Sequence, residues 1–120
     1  MTDTIIERYE ISGNKLKVAT DNRIFEVVFP HTIDMVLKLE KILVVLLLID
    51  DITFNENVYG VSAEGKILWQ IEPIDYMQKF SPYGNIKIKG GVLRAYNVRG
   101  TDLFLDPETG DVIARKFEWW

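Results

Sequence analysis

Hydrophobic and polar residues alternate along most of the chain with the period of β-strands. In the first thirty residues, the alternating segments are separated by residues 12–14 (Ser-Gly-Asn) and 21–22 (Asp-Asn), both of which are typical turn sequences. Pro30 ends the third segment, because proline cannot donate a hydrogen bond to a neighbouring strand. The pattern predicts three antiparallel strands joined by tight turns.

Residues 33–49 are compatible with two structures. Apolar residues at 33, 35, 37 and 39 alternate with the residues between them, which is the period of a half-buried strand. Residues 42–49 are continuously apolar, which suits a strand buried on both faces. We predict a hairpin that turns near Glu40-Lys41. The alternative is a helix capped by Thr32, with Asp34 in its first turn.

The remaining sequence predicts further hairpins and one loop. A hairpin is expected over residues 57–73 with its turn at 63–66, followed by a loop over 73–85 and four strands separated by turns at 90–91, 99–100 and 107–110. The loop is expected to pack large side chains over an open end of the sheet: Tyr76, Met77, Phe80 or Tyr83. The expected fold is a single all-β domain over residues 1–120, an antiparallel meander with little helix. It should contain about eight or nine short strands in a sandwich or open barrel.

Two of these hairpins share a pattern at an offset of 45 residues, which aligns Gly65 of "SAEGKILW" with Gly110 of "DPETGDVIA". Both resemble the inner hairpin of quinoprotein-type β-propeller blades, in which an apolar strand, an aspartate and a turn ending in glycine precede an apolar strand with tryptophan. Three residues depart from that pattern: Ser62, Glu64 and Ala114. The resemblance implies propeller-blade-like hairpins in which Trp69 docks against a neighbouring sheet, and it implies no quinone site. A chain of 120 residues holds roughly two or three blades, whereas a closed propeller needs about four or more.

The composition argues against catalysis and against a metal centre. The chain has no cysteine and a single histidine, His31, which excludes disulfides and leaves few ligands for a transition metal. A catalytic triad would have to join His31 to Ser12, Ser62 or Ser81, none of which lies in a nucleophile-elbow motif. The acids of residues 106–111 lack the spacing of an EF-hand. We expect no enzymatic activity, no metal and no cofactor.

The sequence predicts a cytoplasmic protein with no membrane association. Acidic residues occupy the N-terminal positions at which a secretory signal has its basic end. The longest apolar run is residues 42–49, whereas a membrane-spanning helix needs about 20 residues.

Charges are distributed unevenly along the chain, although the net charge of −4 is modest. Residues 50–75 contain six acids and one base, Lys66, whereas residues 85–101 contain four bases and no acid. Neighbouring segments of opposite sign indicate either a self-complementary fold or a binding surface with two signs of charge.

The acidic segment supports our first hypothesis for function. In its size, in its lack of cysteine and catalytic groups, and in its acidic segment, the chain resembles small bacterial toxin-immunity proteins. The resemblance implies a non-enzymatic protein that binds and occludes a basic toxin domain, with charge complementarity that favours the correct partner. The candidate contacts are Asp50, Asp51, Glu56, Glu64, Glu72 and Asp75, with Trp120 as an apolar anchor for a partner or for a second copy in a homodimer.

The basic segment supports an alternative, a single-stranded nucleic-acid-binding β module. Lys87 and Lys89 fall on one face of a strand, and Tyr96 lies between Arg94 and Arg99. Basic residues interleaved with an aromatic residue are typical of sheets that bind single strands. Two arguments oppose this hypothesis. Lysines on a strand also prevent edge-to-edge aggregation, and an acidic chain repels a polyanion.

Overall fold

The computed structural model describes residues 4–49, 55–72 and 81–117. Within these ranges the chain forms eleven β-strands and no helix, which confirms the all-β class and exceeds the eight or nine strands predicted. The strands are β1 (Arg8–Ser12), β2 (Lys15–Ala19), β3 (Ile24–Val28), β4 (Ile33–Lys38), β5 (Ile42–Leu47), β6 (Val58–Ser62), β7 (Ile67–Gln70), β8 (Tyr83–Lys89), β9 (Val92–Asn97), β10 (Thr101–Leu105) and β11 (Val112–Phe117).

The strands form three consecutive antiparallel meanders. We call them the first sheet (β1–β3), the middle sheet (β4–β7) and the third sheet (β8–β11). Each strand pairs with its neighbour in the sequence, so that every connection is a hairpin or a passage from one sheet to the next. The helix considered for residues 33–49 is wrong, because β4 and β5 pair from Ile33–Leu47 to Lys38–Leu43 across a turn at residues 39–41.

The middle sheet is covered on both faces. Leu43, Val45 and Leu47 of β5 belong to a buried cluster shared with the first sheet. The alternate residues Ile42, Val44 and Leu46 belong to a second cluster shared with the third sheet. Residues 42–47 of the continuous apolar run therefore form a strand buried on both sides, as predicted, whereas Leu48 and Ile49 beyond it are exposed; the sandwich gains a third layer.

An aromatic side chain joins each of the first two sheets to a turn of the sheet that follows. Trp69 of β7 donates a hydrogen bond from Nε1 to the carbonyl of Pro107 (2.8 Å) and packs against Gly110, in the turn between β10 and β11. Phe25 of β3 packs in the same way against Gly65, in the turn between β6 and β7. A Cβ atom at Gly110 would lie 2.6 Å from Trp69 Cγ, so the close approach requires glycine. Trp69 thus docks against the neighbouring sheet, as the blade-like pattern implied.

A buried polar joint links the middle sheet to the third. Asn57 donates hydrogen bonds to the carbonyls of Leu47 (3.0 Å) and Tyr83 (2.8 Å), and it accepts one from the Tyr83 N–H (2.8 Å). Asn97 and Ser81 also bond to each other through two hydrogen bonds. Of the residues expected to pack over the sheet from the 73–85 loop, Tyr83 is fully buried, but residues 83–85 belong to strand β8 and not to the loop as predicted. The other three, Tyr76, Met77 and Phe80, lie outside the described residues.

We predict that the free energy of unfolding falls above pH 10 because of Tyr83. Burial raises the pKa of this phenol and outweighs the nearby Arg115 cation. Above a pH of about 10 the unfolded chain releases the proton that the folded chain retains, so stability should fall by up to about 1.4 kcal/mol per pH unit. Urea unfolding at increasing pH should show a shallower decline for Tyr83→Phe than for the unmodified protein. Equal slopes would contradict the assignment.

Candidate functional site

The outer face of the third sheet gathers most of the basic segment on one surface. Because side chains alternate along a strand, the residues between the buried Ile86, Leu93, Ala95 and Leu103 point away from the middle sheet. Strand pairing places Lys87 opposite Arg94, and Arg94 opposite Phe104. These side chains surround an open groove of about 350 Å³, which we call the basic face: Lys87, Lys89, Val92, Arg94, Tyr96 and Phe104.

Arg94 lies at the centre of the basic face and is held from two directions. Its Nε and Nη2 atoms donate to one carboxylate oxygen of Asp102 at 3.1 Å and 2.5 Å. Its guanidinium carbon lies 4.4 Å from the ring centroid of Tyr96 and 5.3 Å from that of Phe104. Both distances are within the range of cation–π contacts. The guanidinium is therefore a fixed planar group in an aromatic setting, unlike a mobile surface cation.

Asp102 is a buried carboxylate, with 3% of its surface exposed. A buried charge is costly unless a partner compensates for it, and Arg94 supplies both charge and hydrogen bonds. The pair therefore fixes the orientation of Arg94 and reduces its net charge at the surface. The exposed cations of the basic face are Lys87 and Lys89.

The same positions in the middle sheet are apolar. Strand pairing there forms the row Leu37–Val44–Gly60–Trp69, which faces the third sheet; the corresponding row of the third sheet is Lys87–Arg94–Phe104–Ala114. The first row is covered by the next sheet of the stack. The row of the third sheet has Lys87 and Arg94 at the positions of the aliphatic residues in the middle sheet. It has Ala114 at the position of the docking tryptophan, Trp69. The outer face of the third sheet is thus suited to solvent or to a polar ligand, and unsuited to burial beneath another apolar sheet.

The structure brings together four of the five residues proposed for nucleic-acid binding. Lys87, Lys89, Arg94 and Tyr96 line the groove, whereas Arg99 lies exposed in the turn between β9 and β10, its N–H bonded to Asn97 (2.8 Å). Sequence reasoning missed Phe104 and Asp102. The register of the β9–β10 hairpin could have revealed them. The turn at residues 98–100 pairs β10 with β9, which places Phe104 opposite Arg94 and Asp102 opposite Tyr96.

The acidic set is only partly described. Asp50, Asp51, Asp75 and Trp120 lie outside the described residues. Glu56 precedes β6 and Glu72 follows β7, so they lie at the same end of this antiparallel pair, and Glu72 forms an ion pair with Arg115. Glu64 lies in the turn at the opposite end of β6, about 25 Å away at about 3.3 Å per residue. The described acids therefore lie at both ends of the β6–β7 pair and do not form one cluster.

Two of the three serines considered for catalysis have structural contacts. Ser62 accepts hydrogen bonds from the N–H groups of Glu64 and Lys66 (both 3.2 Å) and shapes the β6–β7 turn, and Ser81 is bonded to Asn97. Ser12 is exposed at the end of β1, and His31 is half-buried in the passage from β3 to β4. Within residues 4–49, 55–72 and 81–117, no three His, Cys, Asp or Glu side chains are grouped to hold a metal ion. The same ranges contain no helix with the length and hydrophobicity needed to cross a membrane.

Comparison with other proteins identifies a domain family and a fold. Residues 6–117 match the family model of a domain of unknown function, DUF7957. No curated protein matches the sequence significantly. The crystal structure of HIRA(644-1017) is similar with a TM-score of 0.57 and 19% identity, over 87% of this chain and 29% of that one. The computationally designed Ika8 protein is similar with a TM-score of 0.54 and 14% identity, over 92% of this chain and 36% of that one. The chain thus spans about a third of each structure, and the similarity is one of fold alone.

Proposed function

The chain belongs to the DUF7957 family, and we propose that it is a non-enzymatic binding protein whose basic face contacts nucleic acid. One observation carries the proposal. Two exposed lysines, an oriented arginine and two aromatic rings converge on one groove of about 350 Å³. Phosphate contacts from lysine and stacking on aromatic or guanidinium planes are the two interactions that sheet-based nucleic-acid binders combine.

The local charge of the basic face matters more than the net charge of the chain. At physiological ionic strength, exposed charges more than about 8 Å apart are largely screened from each other. The segment from Asn85 to Thr101 contains four bases and no acid, and the Asp102 carboxylate is paired with Arg94. A polyanion that contacts Lys87 and Lys89 therefore meets a positive surface, even though the net charge is −4.

Toxin neutralisation, which the acidic segment suggests, has weaker support. Glu56 and Glu72 lie far from Glu64, and Glu72 is already paired with Arg115. A partner that contacts Glu64 together with Glu56 and Glu72 would therefore have to span the length of β6.

We further propose that the three sheets are stacked units of the propeller-blade type. The support is the repeated joint between Phe25 and Gly65, and between Trp69 and Gly110. Ala114 occupies the corresponding docking position in the third sheet. The last sheet thus departs from the repeat on the face that carries the basic groove.

The proposal predicts that the double substitution Lys87→Gln/Lys89→Gln weakens nucleic-acid binding by about tenfold or more at low salt and reduces the salt dependence. Removing two phosphate contacts should make the slope of log affinity against log salt shallower by about 1.4 for a single strand. Fluorescence anisotropy with a labelled oligonucleotide of about 20 nucleotides, titrated between about 50 and about 200 mM salt, measures both quantities.

The chain offers a matched control in Lys15→Gln/Lys17→Gln. These lysines occupy the same spacing on an exposed strand face of the first sheet, where Lys17 lies between Glu10 and Glu26 of the adjacent strands. The control variant should retain the affinity and the slope. The proposal is wrong if the unmodified protein binds no nucleic acid at low salt, or if both double variants lose affinity equally.

A further inference from the structure

The geometry around Arg94 indicates which form of nucleic acid the basic face accepts, an inference that rests on the proposed function. Asp102 compensates the charge of Arg94 through contacts at 2.5 Å and 3.1 Å. A guanidinium paired in this way offers less charge to a phosphate, but its planar surface is held in place. Guanidinium planes and aromatic rings are the surfaces on which unpaired bases stack.

The aromatic residues extend this platform. Tyr96 and Phe104 are half-buried, lie on the neighbouring strands β9 and β10, and both contact Arg94. Their rings are anchored in the sheet and also line the groove. Base stacking on such rings tolerates every base, because each base has a π-face.

The lysines flank the platform on the adjacent strand. Lys87 of β8 lies opposite Arg94 of β9, and Lys89 lies opposite Val92. The two cations therefore lie along one side of the groove, on a strand whose backbone is about 4.8 Å from that of β9. A single strand can place a base on the platform while its neighbouring phosphates reach the lysines. A duplex cannot, because its bases are paired and stacked inside the helix.

We propose that the basic face binds single-stranded nucleic acid by stacking an unpaired base on Arg94, Tyr96 and Phe104, and that Asp102 is the positioning residue for Arg94. Lys87 and Lys89 contact the flanking phosphates. Because planar stacking requires no sequence-specific hydrogen bond, the site should accept any base.

The test compares four probes on the unmodified protein: an oligothymidine of about 15 nucleotides, the same strand with abasic sites at its central positions, a duplex of equal length, and inorganic polyphosphate. The intact single strand should bind at least about tenfold more tightly than each of the others, as loss of stacking predicts. A 2-aminopurine placed centrally in the intact strand should lose fluorescence on binding, and Tyr96→Leu/Phe104→Leu should abolish that loss.

Equal affinity for the intact strand, the abasic strand and the duplex would overturn the stacking inference and leave nucleic-acid binding standing. Tighter binding of polyphosphate than of any nucleic acid would overturn the inference and the proposed function together, and so would binding of no probe at all. These outcomes separate the two proposals.

The role of Asp102 is tested by Asp102→Asn, which preserves the shape and removes the charge. Arg94 would then act as an additional cation, so the salt slope should steepen by about 0.7 while the 2-aminopurine signal weakens. Loss of the Asp102 charge alone would steepen the slope, since Lys116 also lies opposite Asp102 on β11. The weaker 2-aminopurine signal is therefore the readout that distinguishes positioning of Arg94, and an unchanged signal in the folded variant would contradict that role. Arg94→Lys provides a second variant in case Asp102→Asn does not fold. It keeps the positive charge and removes the plane, and the preference for the intact strand over the abasic strand should fall by about tenfold. An unchanged preference would contradict the inference.

Discussion

Replacing Trp69 with alanine should lower the free energy of unfolding by about 3–5 kcal/mol. The indole is 8% exposed and belongs to the cluster between the middle and third sheets. It packs against both Gly60 and Gly110, and its N–H donates a hydrogen bond to the carbonyl of Pro107. Alanine would leave a cavity at the joint and would also leave that carbonyl without its donor.

Urea unfolding followed by far-ultraviolet circular dichroism measures this loss. Trp69→Phe should show a smaller loss of about 1–3 kcal/mol, because the ring is partly kept while the donor is removed. Leu68→Ala is the matched control, since Leu68 is the preceding residue of β7 and is 51% exposed. It should change stability by less than about 1 kcal/mol. A Trp69→Ala loss no larger than that of Leu68→Ala would show that the joint does not hold the sheets together.

The periodicity of the sequence predicted the class of fold and the middle strand, because both depend on local alternation. Residues 42–47 read correctly as a strand buried on both faces. The strands predicted segment by segment (three in the first thirty residues, two in each of the next two hairpins and four after the loop) all form, so the estimate of about eight or nine was too low as a total and not for want of a signal; the strands have four to seven residues. The stacking of three sheets depends on contacts between distant segments, which local alternation does not encode.

Gly60 illustrates a residue whose role cannot be read locally. It has no positive φ angle and lies inside β6, where glycine normally weakens a strand. Glycine is required at position 60 because the indole of Trp69, on the adjacent strand, occupies the space that a Cβ atom of residue 60 would fill. Only the register between β6 and β7 reveals this requirement.

The candidate site shows the same limit. Lys87, Lys89, Arg94 and Tyr96 could be grouped from the sequence because they share two paired strands. Asp102 could not, since a carboxylate is ordinarily solvated and its burial here depends on Arg94 across the β9–β10 pair. The acidic segment shows how little proximity in the sequence says about clustering, because Glu56 and Glu64 are eight residues apart and lie at opposite ends of β6.

Replacing Asn57 with alanine should lower the free energy of unfolding by about 3 kcal/mol or more. The side chain is fully buried and makes three hydrogen bonds to backbone groups, two of them on Tyr83 at the start of the third sheet. Alanine removes all three bonds and leaves the carbonyls of Leu47 and Tyr83 and the N–H of Tyr83 without this partner in a dry site. Each buried group left unsatisfied costs about 1–3 kcal/mol. Chemical unfolding of both proteins at neutral pH measures the difference.

Asn57→Asp separates the loss of hydrogen bonds from the loss of volume. A carboxylate of the same shape still accepts from the Tyr83 N–H, but it cannot donate to the two carbonyls and it carries a charge into the core. Burial would raise the pKa of the new carboxyl above its usual value of about 4, so the folded state would hold a proton that the unfolded state releases. The deficit relative to the unmodified protein should therefore grow by up to about 1.4 kcal/mol per unit as the pH rises above about 4, and shrink in acid. Asn85→Ala, at an exposed position with one local hydrogen bond, should cost less than about 1 kcal/mol. A deficit for Asn57→Asp that does not vary with pH would mean that water reaches Asn57 and that the polar joint between the two sheets is not dry.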